Sequence, residues 1–232
     1  MNKLYQLKTR PRCRAEAIVK GKYYRISVLT PSLLRLEYSE NGNFEDRATQ
    51  VVIDREFPVP EYQVTKKKNE LIIETEDLTV FYNEEPFSPS GLSIQMRFGM
   101  TWRFGDEPRD LGGTARTLDR ANGAVPLGHG LLSRWGYAVL DDSRSMVLTE
   151  ENWVEARSGG VTDIYFFGYG HAYQRCIDDF YHLCGKTPLL PRRALGNWWC
   201  RYHKYTEPEY KNLMERFERE HIPFSVAVID MD

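Results

Sequence analysis

From about residue 15 to residue 167 the sequence repeats one pattern, a short β-branched or aromatic run closed by turn residues, and a series of that kind reads as an all-β domain. The run Tyr23 to Leu29 ends at Thr30-Pro31-Ser32, and Leu33 to Tyr38 follows as a second strand closed by Asn41-Gly42, as expected of paired strands. Leu71 to Thr75 and Leu78 to Tyr82 flank Glu76-Asp77 at hairpin spacing. Strand signals continue at Tyr137 to Leu140 and Met146 to Thr149, around an Asp141-Asp142-Ser143-Arg144 turn, and at Thr162 to Phe167. Many short strands with few helical stretches favour a β-sandwich.

Residues 108–136 interrupt the series, with six of the seventeen glycines and very little periodicity. A long loop in a compact domain is usually functional or disordered, and Leu111, Leu118, Val125, Leu131 and Leu132 offer apolar groups that could dock this one, so lining a site is one reading of it.

After residue 167 the period changes from two to 3.6. Tyr173, Cys176, Ile177, Phe180 and Cys184 lie on one face of a helix predicted over 171–184 and stopped by Gly185. Pro188 and Pro191 follow, in a stretch read as a linker between a domain over 1–185 and a second one over 186–232. Leu195 to Cys200 reads as a buried strand, and Thr206-Glu207-Pro208-Glu209 is a capping box with proline in the first turn. Tyr210, Leu213, Met214 and Phe217 form that helix's apolar stripe, and Phe224 to Ile229 is a continuous apolar run. Strand, helix and strand make a βαβ unit, whose parallel strands need cover on both faces. A lone unit of two parallel strands cannot supply that cover, so the sequence predicts that the natural protein continues into a larger α/β domain. Trp198, Trp199, Val226 and Val228 then lack partners here and predict self-association through the exposed barrel surface.

Composition excludes several classes. A chain that is 41% hydrophobic and 28% charged suits a soluble globular protein, and a formal net charge of −2 gives no field to gather a nucleic acid. Cys13, Cys176, Cys184 and Cys200 form no C-x-x-C pair and show no metal-site spacing, so neither a metal nor a cofactor is expected. The N-terminus has no apolar signal-like region and no run reaches a membrane span, which makes a cytoplasmic protein the default expectation.

Asp230 and Asp232 end the last apolar run. In a (β/α)₈ barrel, ligands bind at the C-terminal strand ends, and two residues spaced by two share a face of an extended strand. Aspartates also cap strand ends for turn reasons, and two carboxylates without more oxygen ligands are a weak cation site, so those readings stand beside substrate binding. They do not suit the acid and base of hydrolysis, which flank the scissile bond about 5–5.5 Å apart in a retaining glycosidase. His171 and His203 stand alone and read as solvated side chains rather than catalytic ones.

The run ALGNWWCRYHKYTEPEY…IPFSVAVIDMD, with PLLPR before it and LGGTARTLDRANGAVPL…GLLSRWGYAVLDDS upstream, closely resembles glycoside hydrolase family 31, the α-glucosidases and α-xylosidases. The likeness runs from about residue 108 to the end. It implies a mainly β fold, with a galactose-mutarotase-like N-terminal β-sandwich followed by the first β-α-β elements of a (β/α)₈ TIM barrel that is truncated here. It also implies an aspartate nucleophile and an aspartate acid/base on later strands, beyond residue 232. Asp230-Met231-Asp232 matches the family's D-I-D-Y-M motif, which makes Asp230 a carboxylate for hydroxyls of the sugar in the −1 subsite, with Met231 lining the pocket and Asp232 beside it. Cys200-Arg201-Tyr202 stands where the family has C-R-W, a smaller aromatic that bears on sugar preference. Trp135 replaces the Asp or Ser of many members in a loop that reaches over the active site, where it would stack on a sugar or simply pack. The resemblance thus implies an enzyme that hydrolyses terminal α-linked glucosyl or xylosyl residues of oligosaccharides, with this chain inactive by itself. The rival reading is a carbohydrate-binding or interaction module without hydrolytic role.

Overall fold

A computed structural model of the chain describes residues 7–107, 110–113, 115, 118, 120–151 and 153–230. The chain divides into two compact units, Met1–Lys186 and Thr187–Asp232. Its fold is mainly β, with 30% strand and 15% helix, and no barrel closes among the described residues.

In the first unit, β1 (Ile18–Lys20), β2 (Tyr24–Thr30), β3 (Leu33–Ser39), β9 (Ala138–Asp141) and β12 (Val161–Phe167) form one antiparallel sheet, ordered β1-β2-β3-β12-β9. A second antiparallel sheet runs β4-β5-β6-β7-β8 in chain order, from β4 (Tyr62–Lys67), β5 (Glu70–Thr75) and β6 (Leu78–Tyr82) to β7 (Leu92–Met96) and β8 (Thr101–Arg103). The β2–β3 and β5–β6 pairs are the two hairpins read from the sequence. At the second, the Thr75 hydroxyl accepts the N–H of Leu78 at 2.9 Å and so closes the turn. The runs around Asp141–Arg144 are not partners of each other. β9 pairs with β12, whereas β10 (Val147–Leu148) pairs with β11 (Val154–Glu155) in a separate ribbon. Turn chemistry marks where a strand ends but not which strand it meets.

Alternation builds the core. Tyr24, Ile26 and Val28 of β2, Leu34 and Leu36 of β3, and Ile164 and Phe166 of β12 face Leu71, Ile73, Val80, Ile94 and Trp102 of the second sheet. This buried layer between two sheets makes the unit a sandwich. The first sheet is covered on its other face too, because Leu29, Leu33, Tyr165 and Phe167 pack with Cys176 and Leu183 of α1 (Tyr173–Cys184). The last carbonyls of α1 are used as well, since Leu183 O accepts Ile53 N at 3.0 Å and Asp54 N at 3.1 Å.

That second face also holds charges. Arg35 donates from Nε and Nη2 to Asp163 at 2.8 and 2.7 Å, Arg25 donates to Glu37 at 2.6 and 2.9 Å, and Arg157 donates to Asp163. Arg55 donates to the Tyr165 hydroxyl at 2.6 Å, and the Thr49 hydroxyl donates to Asp142 at 3.0 Å. Glu37, Asp142 and Asp163 have no exposed surface. Burial alone raises their carboxyls, and Glu37 and Asp142 do lie above the ordinary range; at Asp163 the charge and hydrogen bonds of Arg35, then Arg157 and Arg55, outweigh burial and hold it below.

In the second unit, β13 (Trp198–Trp199) and β14 (Val226–Ala227) pair in parallel, with Trp198 opposite Val226 and Trp199 opposite Ala227, and α2 (Glu207–Arg219) connects them. The capping box forms as read: Thr206 N donates to Glu209 Oε2 at 2.8 Å, and Glu209 N to the Thr206 hydroxyl at 3.5 Å. The stripe of α2 meets Trp199, whose ring centroid lies 5.4 Å from Phe217 and 6.2 Å from Tyr210. Both strands are shorter than expected, and the expectation that they are buried is corrected. No described residue of 187–230 is buried and Trp198 is 56% exposed, because one helix covers a single face of a two-stranded pair. No helix among the described residues is long and apolar enough to cross a membrane.

Candidate functional site

The parallel register brings two of the segments that carry the family resemblance to one end of the second unit. Val228 N donates to Trp199 O at 2.9 Å, extending the ladder past both strands, so Cys200-Arg201-Tyr202 and Ile229-Asp230 leave their strands side by side. Cys200 and Asp230 meet there. A small burial cost, the hydrogen bond that the thiol donates to the Asp230 carboxylate, and that carboxylate's charge push the Cys200 thiol up. The Tyr210 hydroxyl donates to Val228 O at 3.1 Å, tying α2 to the same strand end. Arg201, Tyr202 and Asp230 are exposed, with Tyr202 at 77%. Met231 and Asp232 lie outside the described residues. An open carboxylate beside an arginine and a tyrosine can accept from, and donate to, neutral hydroxyls. Cys200 is a residue that motif reading passed over as a partner of Asp230; the signal was its place, one step past an apolar strand parallel to the one that Asp230 follows.

In the first unit the glycine-rich loop is zipped at its base. Leu111 N donates to Leu132 O at 2.8 Å and Gly113 N to Gly128 O at 2.7 Å. A Cβ on Gly113 would sit 2.5 Å from His129 O, so the two legs approach closely only because that residue is glycine. Asp110 staples the legs, accepting Gly112 N at 2.7 Å and facing His129 Nδ1 at 3.0 Å. Burial works to raise this carboxyl, but the Gly112, His129 and Gly130 donors hold it below the ordinary range. Leu131 and Leu132 dock against the outer core as expected, whereas Leu111 and Leu118 are exposed.

The far end of the loop carries Trp135. His171 Nε2 donates to Arg134 O at 3.2 Å, the Tyr173 hydroxyl to Ser133 O at 3.2 Å, and Gly170 N to Gly136 O at 2.9 Å. His171 therefore holds backbone. Trp135 is half-buried and packs on the sandwich core, its ring centroid 6.2 Å from that of Tyr137. Among the described residues, no group of three or more His, Cys, Asp or Glu could hold a metal ion.

Comparison with known proteins matches the second unit to a family domain. Residues 187–232 match the model of the glycosyl hydrolases family 31 TIM-barrel domain. An α-xylosidase of Saccharolobus solfataricus is 28% identical over 127 residues, 52% of this chain and 17% of that protein. Alpha-glucosidase 2 of Bacillus thermoamyloliquefaciens is 33% identical over 73 residues, 32% of this chain and 9% of that protein. The chain is thus similar to glycoside hydrolase family 31, and residues 187–232 carry the match to its barrel domain. It spans under a fifth of the length of these two relatives. The family's solved folds agree with the architecture above: a Flavobacterium johnsoniae dextranase complexed with glucose superposes with a TM-score of 0.58 at 17% identity, over 95% of this chain and 34% of the dextranase. A Xanthomonas citri α-xylosidase of the same family gives a TM-score of 0.63 at 11% identity, over 95% and 45%. The Cys200–Asp230 contact thus falls inside the segment that matches the family 31 barrel domain, while Trp135 sits in the β-sandwich.

Proposed function

We propose that the whole protein is a retaining α-glycosidase that removes terminal α-linked glucosyl or xylosyl residues from oligosaccharides. In this reading residues 1–185 are its β-sandwich domain with helix 171–184, and residues 186–232 open its catalytic barrel. The observation that carries the proposal is Asp230 standing exposed at the C-terminal end of a parallel strand, beside Cys200-Arg201-Tyr202, within the family-matching segment. Asp230 accepts hydrogen bonds from hydroxyls of the sugar in the −1 subsite, Arg201 and Tyr202 shape the pocket wall, and Met231 and Asp232 complete the motif. An aspartate on a later strand attacks the anomeric carbon to give a covalent glycosyl-enzyme, a second aspartate protonates the leaving oxygen, and water then releases the sugar. Neither of those two groups is among residues 1–232, so this chain alone is inactive.

The test is turnover of p-nitrophenyl α-glucoside and α-xyloside by the whole gene product, beside its Asp230→Ala variant. Cleavage of either substrate, with a loss of about 10²-fold or more in the variant, is the expected outcome, since hydrogen bonds that strengthen in the transition state contribute several kcal/mol. Cleavage of neither, or turnover by this chain alone, would overturn the reading. In the same reading the chain by itself self-associates through the exposed Trp198 and the half-buried Trp199, Val226 and Val228, and a concentration-independent monomer in light scattering would contradict this.

A further inference from the structure

The sandwich is open along one side. The outermost strands of its two sheets there are β8 and β9, and a cleft of about 840 Å³ lies between them, closed at one end by the zipped base of the glycine-rich loop. Its floor is the side of the core itself: Trp102 and Phe104 beyond one edge, Val139 and Ile164 beyond the other. Phe104 and Val139 keep exposed surface there, whereas Trp102 and Ile164 are buried. Gly159, on the rim, has no positive φ and no atom within 4 Å of where a Cβ would sit, so neither backbone nor packing demands glycine there, and the mouth stays clear.

The polar rim sorts into two sets. Asp106, Asp110 and Asp141 are spent on local turns, accepting Arg103 N at 2.9 Å, Gly112 N at 2.7 Å and Ser143 N at 2.9 Å. Glu107, Arg144, the Thr162 hydroxyl and the Nε2 of His129 also line the cleft and make no hydrogen bond or ion pair among the described residues. The idle groups therefore comprise an anion, a cation, a hydroxyl and an imidazole nitrogen around an apolar, partly aromatic floor. Four carboxylates on the rim repel phosphorylated or carboxylated ligands, and Arg144 disfavours an amine. What satisfies all the idle groups without a charge penalty is a neutral ring that carries hydroxyls at its edge and C–H bonds on its face, where Phe104 can meet it.

We infer that the cleft between β8 and β9 is a saccharide-binding site of the sandwich, whose binding requires neither Asp230 nor hydrolysis. The use of an α-linked glucose oligomer as probe rests on the function proposed above. The experiment is a titration of this chain with isomaltotriose, followed by amide chemical shifts, for the unaltered protein, a Glu107→Gln/Arg144→Ala variant and Asp230→Ala. The expected result is a saturable response confined to the cleft, weakened at least tenfold in the cleft variant and unchanged in Asp230→Ala. No saturable response up to about 50 mM sugar, where even weak sites fill, would overturn the inference. So would equal affinity in the cleft variant, loss of binding in Asp230→Ala, or displacement by inorganic phosphate. The two readings fail separately. Binding here without glycoside cleavage by the whole gene product removes the enzyme and leaves the cleft, and cleavage without binding does the reverse.

Discussion

Asp163 anchors the buried charge network of the first unit. Its carboxylate is fully buried and accepts Arg35 at 2.8 and 2.7 Å as well as Arg157, whose own side chains are 2% and 3% exposed. In Asp163→Ala, Arg35 still has Glu37 at 3.0 Å, but Arg157 keeps only an ion pair at 3.7 Å to Asp142 and that residue's carbonyl. One guanidinium is left buried and undercompensated, a situation that costs about 3–5 kcal/mol. That is about a fifth or more of the stability of a typical domain, and for a unit of this size it lowers the melting temperature by about 6–20 °C. Urea unfolding at neutral pH, read from the fluorescence of the buried Trp102, measures the loss. The double variant with Arg157→Ala should lose clearly less than the two single losses together, because both partners then leave at once. A single-variant loss under about 1 kcal/mol, or strict additivity, would refute the reasoning, since either means that the charges are solvated. The pH dependence has a definite sign. Asp163 titrates below its unfolded value, so its stabilisation is complete above the ordinary carboxyl range near about 3.9 and disappears as the pH falls through its depressed value. Glu37 and Asp142, raised by burial, act in the opposite sense: their contribution is present at low pH and lost as the pH rises through their elevated values. Asp163→Ala therefore loses the acid-side fall in stability and keeps the opposing part.

Three further outcomes follow from local geometry. Gly136 has φ +75 and a Cβ there would meet Gly170 Cα at 2.6 Å, so Gly136→Ala should free the loop end and speed tryptic cleavage after Arg134; unchanged cleavage and melting would contradict the close approach. Thr206→Ala removes the cap of α2 and should raise hydrogen exchange at the Glu209 amide about fivefold, whereas unchanged exchange would mean that the box does not hold the helix start. Burial pushes Cys176 and Cys184 up to about 12, so at about pH 8 a disulfide reagent should reach the exposed Cys200 first, and Asp230→Ala should accelerate that reaction severalfold by removing the carboxylate; an unchanged rate would separate the two side chains.

What could be read from the residues alone is what local chemistry decides. The Tyr24–Ser39 and Glu70–Tyr82 hairpins follow from alternation and turn residues, α1 from its apolar stripe and Gly185, and α2 from a capping box. Each depends on neighbours a few positions away. The family resemblance likewise rests on contiguous motifs, and the domain match falls on the segment that carries the last of them. β7 and β8 were not read, because Leu92–Met96 and Thr101–Arg103 are too short for a period to stand out from the loops around them. Partnership between distant strands has no local signal at all: nothing near β9 marks β12 as its partner, and nothing near β10 marks β11. Charged residues at alternate positions of apolar strands, Arg25, Arg35, Glu37 and Asp163, were visible one by one. Only the folded sheet sets them on a single face under a second layer, where desolvation makes each one dependent on the next. The contact of Asp230 with Cys200 has the same origin, because thirty positions of chain separate them and the parallel register of two short strands, closed by tertiary packing of α2, brings them together.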